Sequence, residues 1–379
     1  KTVTVNSISL GDIYNLSIEM GESQIQEIIV LGGSNTFVDV AAGPSASFST
    51  FDMETSVAFD RDIKDVYSID PRMNLDGDSQ VNCVGKHPRF NSISLDGISQ
   101  NDRFGLNSNG YSTATGMPFP YEGIAQVSAE LAPFDVTYGG FTACNINAVT
   151  KSGSNEWTGT VFLERTGDQW RGDSLEVNGQ AQDYSTKGYT EDVKGFSIGG
   201  TILEDKLFFY GAYEESEQPR FLAAGYAGSS NGVERPWLSK ENHDRIEGIA
   251  KNLYNYDPGG LPADGTQTDE KYMLRVDWNI NEQHDATVIY NYYDGVQLRS
   301  SDGDDNEFVF ANHFYNKGAV SEPTTVRLRS QWTDALSSEM FYSKNNMDDS
   351  QDTAGPGVSA AMQTSLGRDT GYRVADDYR

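Results

Sequence analysis

Two cysteines, four histidines and an abundance of carboxylates are the groups in this chain that could carry chemistry. Cys83 and His87 lie close enough in sequence to begin a zinc site, but no second CxxC or HxxxH pair supplies the remaining ligands. The cysteines suffice for one bridge: they read as free buried thiols in a reducing compartment, and as a Cys83–Cys144 disulfide in an oxidising one. The acidic stretch SDGDDNEF, residues 301–308, offers Asp302, Asp304, Asn306 and Glu307 as oxygen ligands. It lacks the glycine and the closing glutamate spacing of a calcium loop, and reads as a solvated acidic loop. No GxSxG elbow, HExxH helix or GxxxxGK phosphate loop occurs, and carboxylate pairs arise by chance among 56 Asp and Glu. No enzyme, resident metal or cofactor is expected.

The 56 acidic residues face 28 Lys and Arg over 379 residues, a formal charge of -28 that repels nucleic acid phosphates. A nucleic acid partner is therefore not expected. No apolar run approaches the roughly 18 residues of a spanning helix, which excludes a helical membrane protein. A membrane β-barrel stays open, because strands of about 10 alternating residues leave the mean hydropathy low, here -0.54. The start, KTVTVNSISLGDIYNL, shows no basic region followed by an apolar core, so no signal peptide is visible.

The elements that must position any site are strands from Trp157 onward. Tyr272, Leu274, Val276 and Trp278 alternate with Lys271, Met273, Arg275 and Asp277, one face greasy and the other charged. The same period runs through Trp157–Glu164, Gly195–Ile202, Leu207–Tyr213, Ala286–Tyr292, Val326–Trp332 and Met340–Tyr342. Connections alternate in length: 165–194, 215–270 and 294–324 are long, whereas 203–206, 279–285 and 333–338 are short. A soluble sandwich has no reason to sort its loops by end; an outer-membrane barrel does. That parity puts Trp157, Trp278 and Trp332 on one rim, as an aromatic girdle requires, and Tyr213, Tyr290, Tyr292 and Tyr293 at the opposite rim.

Ahead of Trp157 the pattern is mixed α/β, with helical spacing through Ile63, Val66 and Tyr67 followed by short strands. Within the long 215–270 connection, Ser239 is an N-cap for a helix carrying Ile246, Ile249 and Leu253.

Several motifs together resemble one family: RDIKDVYSIDPR (61–72), HPRFNSISLDGISQNDRFGLNSNGY (87–111), ELAPFDVTYGGFTACNINAVTKSGSNEWTGTVF (130–162) and GGTILEDKLFFYGAYE (199–214). They are similar to TonB-dependent outer-membrane receptors, particularly the Oar-like group that carries an N-terminal carboxypeptidase-regulatory-like domain. The resemblance covers roughly residues 20–215 and extends more weakly through RVDWNINEQHDATVIYNYYD (275–294).

The resemblance implies a membrane β-barrel of the 22-stranded receptor type, of which only the first strands are present, with an N-terminal α/β plug domain inside it. Residues 1–25 would end the regulatory-like β domain, 26–32 form a TonB-box-like segment, 33–152 the plug and 153–379 the N-terminal part of the barrel. Room remains there for about eight strands with their loops. Glu27, Ile28, Ile29, Val30 and Leu31 are a β-prone apolar segment suited to strand addition, which the resemblance assigns to TonB and its inner-membrane energising complex. In an outer-membrane setting the Cys83–Cys144 bridge is the expected state. The plug loop 100–120, with Asn101, Asp102, Arg103, Asn107, Asn109 and Tyr111, is the implied substrate surface, although packing against the barrel wall explains those side chains equally well.

The implied protein binds a substrate, a peptide or protein as a family-level guess, at the cell surface and imports it by TonB-driven plug remodelling. Its barrel would meet outer-membrane lipid and lipopolysaccharide, with plug and N-terminus facing the periplasm and the long loops outside. The alternatives are a surface adhesion barrel and a protein-secretion barrel whose outer loops carry the binding.

Overall fold

The computed structural model of the chain describes residues 45–376, except 57, 59–60, 76–80, 102–109, 112, 114, 132–138, 171–173, 178–179, 184–187, 301–305, 354–361 and 366–372. The N-terminal unit runs through β1 (Ser45–Ser49), α1 (Thr50–Thr55), α2 (Ile63–Tyr67), β2 (Met73–Leu75), β3 (Val81–Cys83), β4 (Ser92–Leu95), β5 (Ile98–Ser99), β6 (Ile124–Glu130) and β7 (Asn145–Thr150). Five strands form a sheet in the order β1-β6-β7-β4-β5, antiparallel except where β4 lies beside β7.

Local chemistry starts each helix. Ser49 and Asp52 make a reciprocal capping box at α1, and the Asp62 carboxylate accepts the Lys64 N–H at 3.0 Å to start α2. Ile63, Val66 and Tyr67, picked out by their spacing, are fully buried in a core with Met73, Val81, Ile93, Ile146 and Ala148. Cys83 and Cys144 join that core as a disulfide with Cα atoms 6.1 Å apart.

The remainder comprises β8 (Thr158–Gly167), β9 (Ser174–Val177), β10 (Gln180–Asp183), β11 (Thr190–Leu203), β12 (Leu207–Arg220), β13 (Ala224–Tyr226), β14 (Val233–Arg235), α3 (Lys240–Tyr254), β15 (Gly265–Asn281), β16 (His284–Ser300), β17 (Glu307–Val309), β18 (Phe314–Thr333), β19 (Leu336–Thr353), β20 (Met362–Ser365) and β21 (Arg373–Asp376). Seven long strands pair antiparallel in the order β8-β11-β12-β15-β16-β18-β19, so each long strand lies beside its predecessor and successor among the long strands. The turns at 204–206, 282–283 and 334–335 lie at one end of this wall, and 168–189, 221–264 and 301–313 connect at the other.

The strands outrun the alternating stretches visible in the sequence. β18 has 20 residues and begins at Phe314, well before Val326; its early residues Asn316 to Ala319 are polar or small and show no greasy alternation. Seven long strands make up the sheet among the described residues.

Period two gives the wall two chemically opposite faces. Leu274 and Trp278 are 54% and 49% exposed on the outward face, while Lys271, Met273 and Arg275 of the same strand are 5% exposed or less on the inward face. In β16 the alternation is unbroken from Thr287 to Gln297. Among the described residues no helix is long and apolar enough to cross a membrane, which says nothing of strands.

At the long-connection end α3 packs over a separate core of Leu238, Ile246, Phe308, Phe310 and Val374. The Ser239 hydroxyl caps it by accepting the Asn242 N–H at 3.2 Å, and Asn255 ends it in the left-handed conformation at φ 52°.

Candidate functional site at the joint between the N-terminal unit and the wall

The N-terminal unit lies against the inward face of the wall, and the contact is mostly polar. The wall gives it one small apolar patch of Tyr210, Ala212, Met273 and Ile289. Around that patch stand charged side chains that burial would penalise unless they were paired.

Arg61 is the centre of the largest pairing. It sits just ahead of α2 with φ 48°, a left-handed conformation uncommon for a side-chain-bearing residue. From there its guanidinium reaches Glu122 of its own unit at 3.0 Å, Glu164 on β8 at 2.5 Å and Glu214 on β12 at 3.1 Å. It also lies 3.9 Å from the Phe162 ring centre and 5.2 Å from that of Tyr121. Burial opposes the Arg61 charge, but Glu214, Glu122 and Glu164 outweigh it and leave the guanidinium held more firmly protonated than usual. Glu214, 1% exposed, also accepts from Lys271 Nζ at 3.1 Å and from the Tyr121 N–H at 3.3 Å. Lys271 in turn meets Asp269 at 3.3 Å. A cavity of about 230 Å³ borders Arg61, Glu122, Lys151 and Glu164, on the side where β8 ends the sheet.

Two further contacts pin the unit. Arg275 donates to the Thr150 carbonyl and hydroxyl at 3.0 and 2.9 Å, and is itself oriented by Asp277. Thr150 donates to the buried Asp96 carboxylate, whose main-chain carbonyl accepts from Arg327 at 3.4 Å. Burial pushes the Asp96 carboxyl above the usual carboxylate range, against the opposing pull of Arg275, Thr150 and Arg327. Higher on the wall, the Thr115 hydroxyl bonds to Tyr293, and its carbonyl accepts from Gln267 at 3.3 Å. Tyr293 therefore faces inward, fully buried, and does not belong with the outward Tyr213, Tyr290 and Tyr292; period two separates it from Tyr292.

The chain passes from unit to wall over 151–157, and Gly153 is required there: a Cβ would stand 2.3 Å from the Phe209 carbonyl oxygen and 2.6 Å from that of Gly200.

The residues singled out by sequence fall into three groups. Trp157, Trp278 and Trp332 all lie at the short-turn end of the wall and are 63%, 49% and 52% exposed. Asn101 and Tyr111 pair across a β-bridge inside the unit, where Asn101 accepts the Ile93 N–H at 2.8 Å and Tyr111 donates to Asp62 at 2.7 Å. Tyr111 is 0% exposed, within the unit's packing. Glu27, Ile28, Ile29, Val30 and Leu31, together with Asp102, Arg103, Asn107 and Asn109, lie outside the described residues, as do Asp302 and Asp304. Arg61, Glu164 and Glu214 were missed as a group: more than a hundred positions separate Arg61 from either glutamate, and only the fold unites them.

No family model matches the chain. Over 223 residues it is 29% identical to the TonB-dependent transporter Oar of Myxococcus xanthus, a match that covers 56% of this chain and 19% of that protein. Its fold is similar to that of the outer membrane transporter YddB from Escherichia coli, with a TM-score of 0.54, 10% identity, and 82% of this chain and 40% of that one covered. A mutant of the ferric enterobactin receptor PfeA from Pseudomonas aeruginosa gives a TM-score of 0.53 at 12% identity, with 84% and 42% covered. The chain thus spans about a fifth of the curated relative and about two fifths of these solved structures.

Proposed function

We infer that this chain, an Oar-like TonB-dependent receptor of the bacterial outer membrane, binds a substrate at the cell surface and imports it when TonB acts on the segment ahead of the N-terminal unit. In this reading residues 1–25 end a regulatory-like domain, 26–32 are the TonB box, 33–152 are the plug and 153–379 begin the barrel. The apolar outward face of the wall meets lipid, the tryptophans at the short-turn end mark the periplasmic interface, and the long connections face outward among lipopolysaccharide.

The polar joint carries the mechanism. A plug held by an apolar interface would expose greasy surface when displaced, whereas ion pairs around Arg61 and Glu214 can exchange protein partners for water. Such pairs still hold firmly at rest, because removing one partner of a buried pair costs about 3–5 kcal/mol. Arg61 lies ahead of most of the plug in sequence, so a pull transmitted from Glu27–Leu31 reaches it early and frees Glu214 and Glu164 on the wall. Substrate contact from the plug falls to Asp102, Arg103, Asn107 and Asn109 of the loop 100–120, Asn101 and Tyr111 being committed to the plug itself.

Deleting residues 26–32 should abolish uptake while surface binding persists; unimpaired uptake would overturn the mechanism. The separate core under α3 favours a second reading, a surface adhesion or secretion barrel with binding in the outer loops. Binding function that persists unchanged in cells lacking TonB would favour that reading.

A further inference from the structure

The Cys83–Cys144 disulfide splits the N-terminal unit into two parts that a pull on the chain would load differently. β1, α1, α2 and β2 precede Cys83, which ends β3, while β4, β5, β6 and the loop 100–120 lie between the cysteines and β7 begins directly after Cys144. A pull entering ahead of β1 and running to the wall through 151–157 meets two routes at Cys83. One is the main chain of 84–143; the other is the covalent link to Cys144, whose Cα is 6.1 Å away. The link is far shorter than the chain it spans, so it takes the load and leaves 84–143 slack.

The topology suits each part to its share. Among the described residues β1 is an edge strand paired with β6, so its departure leaves β6, β7, β4 and β5 still joined as a sheet, and β2 pairs with β3 outside that sheet. The stretch between the cysteines has its own hold on the wall. Tyr210 donates to the Glu122 carbonyl at 2.8 Å, the Tyr121 N–H donates to Glu214 at 3.3 Å, and Thr115 bonds to Tyr293. Where the load arrives, β7 is hydrogen-bonded to β4 on one side and β6 on the other, and all six of its residues are buried. Arg275 holds its last residue, Thr150, to the wall.

We propose that the disulfide is a mechanical stop. A pull from the N-terminal side draws out the chain as far as Cys83 and then loads β7 through the bridge, so that 84–143, with the loop 100–120, keeps its fold against the wall. The proposal rests on the transport reading for its source of force, a pull on the segment ahead of the unit, and deepens it by dividing the unit into a removable part and a part that stays.

The test is single-molecule force spectroscopy of the full-length protein in a lipid bilayer, pulled by a handle inserted between Gln26 and Glu27. The native protein should first release about 200 Å of chain, the extended length from Glu27 to Cys83, and should then resist until a second, stronger rupture as β7 takes the load. Cys83→Ala with Cys144→Ala removes the bridge. The same pull should then run past residue 83 without that stop and release about 210 Å more, the extended length of the 61-residue separation. If that variant does not fold, the native protein reduced by a water-soluble phosphine after insertion into the bilayer stands in, with the same added length expected. Three results would overturn the proposal: release of the whole unit in one step from the native protein, a stop at residue 83 that survives loss of the bridge, or equal released lengths with and without it. The handle takes the place of TonB, so a missing stop sinks this proposal alone, whereas uptake that survives deletion of 26–32 sinks the transport reading.

Discussion

The N-terminal unit and the seven-stranded wall put their apolar side chains in opposite places. The unit buries Ile63, Val66, Tyr67 and Ile146 at its centre and ties that centre with Cys83–Cys144, as a domain that folds in water does. The wall turns Leu274, Val276 and Trp278 outward and keeps Lys271, Arg275 and Glu214 inside. The unit can therefore hold its shape through its own core, whereas the wall's inner charges pair partly with one another, as Lys271 does with Glu214 and Asp269, and partly with the unit through Arg61 and Thr150. The difference puts the ion pairs of Arg61 with Glu164 and Glu214 at the joint and the unit's apolar core away from it.

The sharpest way to break that comparison is to weaken the unit alone. Replacing Cys83 and Cys144 by Ala should destabilise the unit by about 4 kcal/mol, from the entropy of reopening a loop of about 60 residues. The heat-modifiable gel mobility of the folded wall should stay unchanged; if the wall unfolds with the unit, the two are one cooperative body.

The joint itself is tested by Arg61→Met, which leaves Glu214 and Glu122 without their shared cation and should loosen the contact by about 3 kcal/mol. Hydrogen exchange at the Tyr121 amide, which donates to Glu214, should accelerate about a hundredfold, while amides of β6 and β7 keep their protection. Faster exchange throughout the unit would mean that Arg61 stabilises its fold rather than its docking.

The smallest effect concerns pH. Because burial raises the Asp96 carboxyl, the folded unit holds that proton more tightly than the unfolded chain, whose carboxyl titrates near about 3.9. The associated stability is fully present below that pH and is lost as pH rises through the raised folded value. Asp96→Asn should flatten this slope in denaturant titrations of the protein between acidic and neutral pH, and an unaltered slope would assign it to another group.

Much of the architecture was legible residue by residue. The wall's alternation around Tyr272–Trp278, the sorting of short and long connections, the Ser239 cap and the buried Ile63–Tyr67 turn all follow from periodicity and capping, which are local properties. Strand ends were not legible, because polar and small stretches such as Asn316–Ala319 are strand only through pairing with their neighbours. The rim grouping of Tyr213, Tyr290, Tyr292 and Tyr293 did not distinguish faces, and period two turns Tyr293 inward, away from Tyr292. Tyr111 looked like a ligand contact, and only the packing of α2 beside it shows the hydroxyl spent on Asp62.

By itself, then, the sequence determined two bodies, a helix-bearing unit and an alternating wall, since period and caps are written within a few residues of one another. The tertiary structure alone decided which wall face carries Arg61's partners and that Arg275 meets Thr150 of the unit. Such meetings depend on register across strands many residues apart, and register is settled by the whole sheet and the unit packed against it.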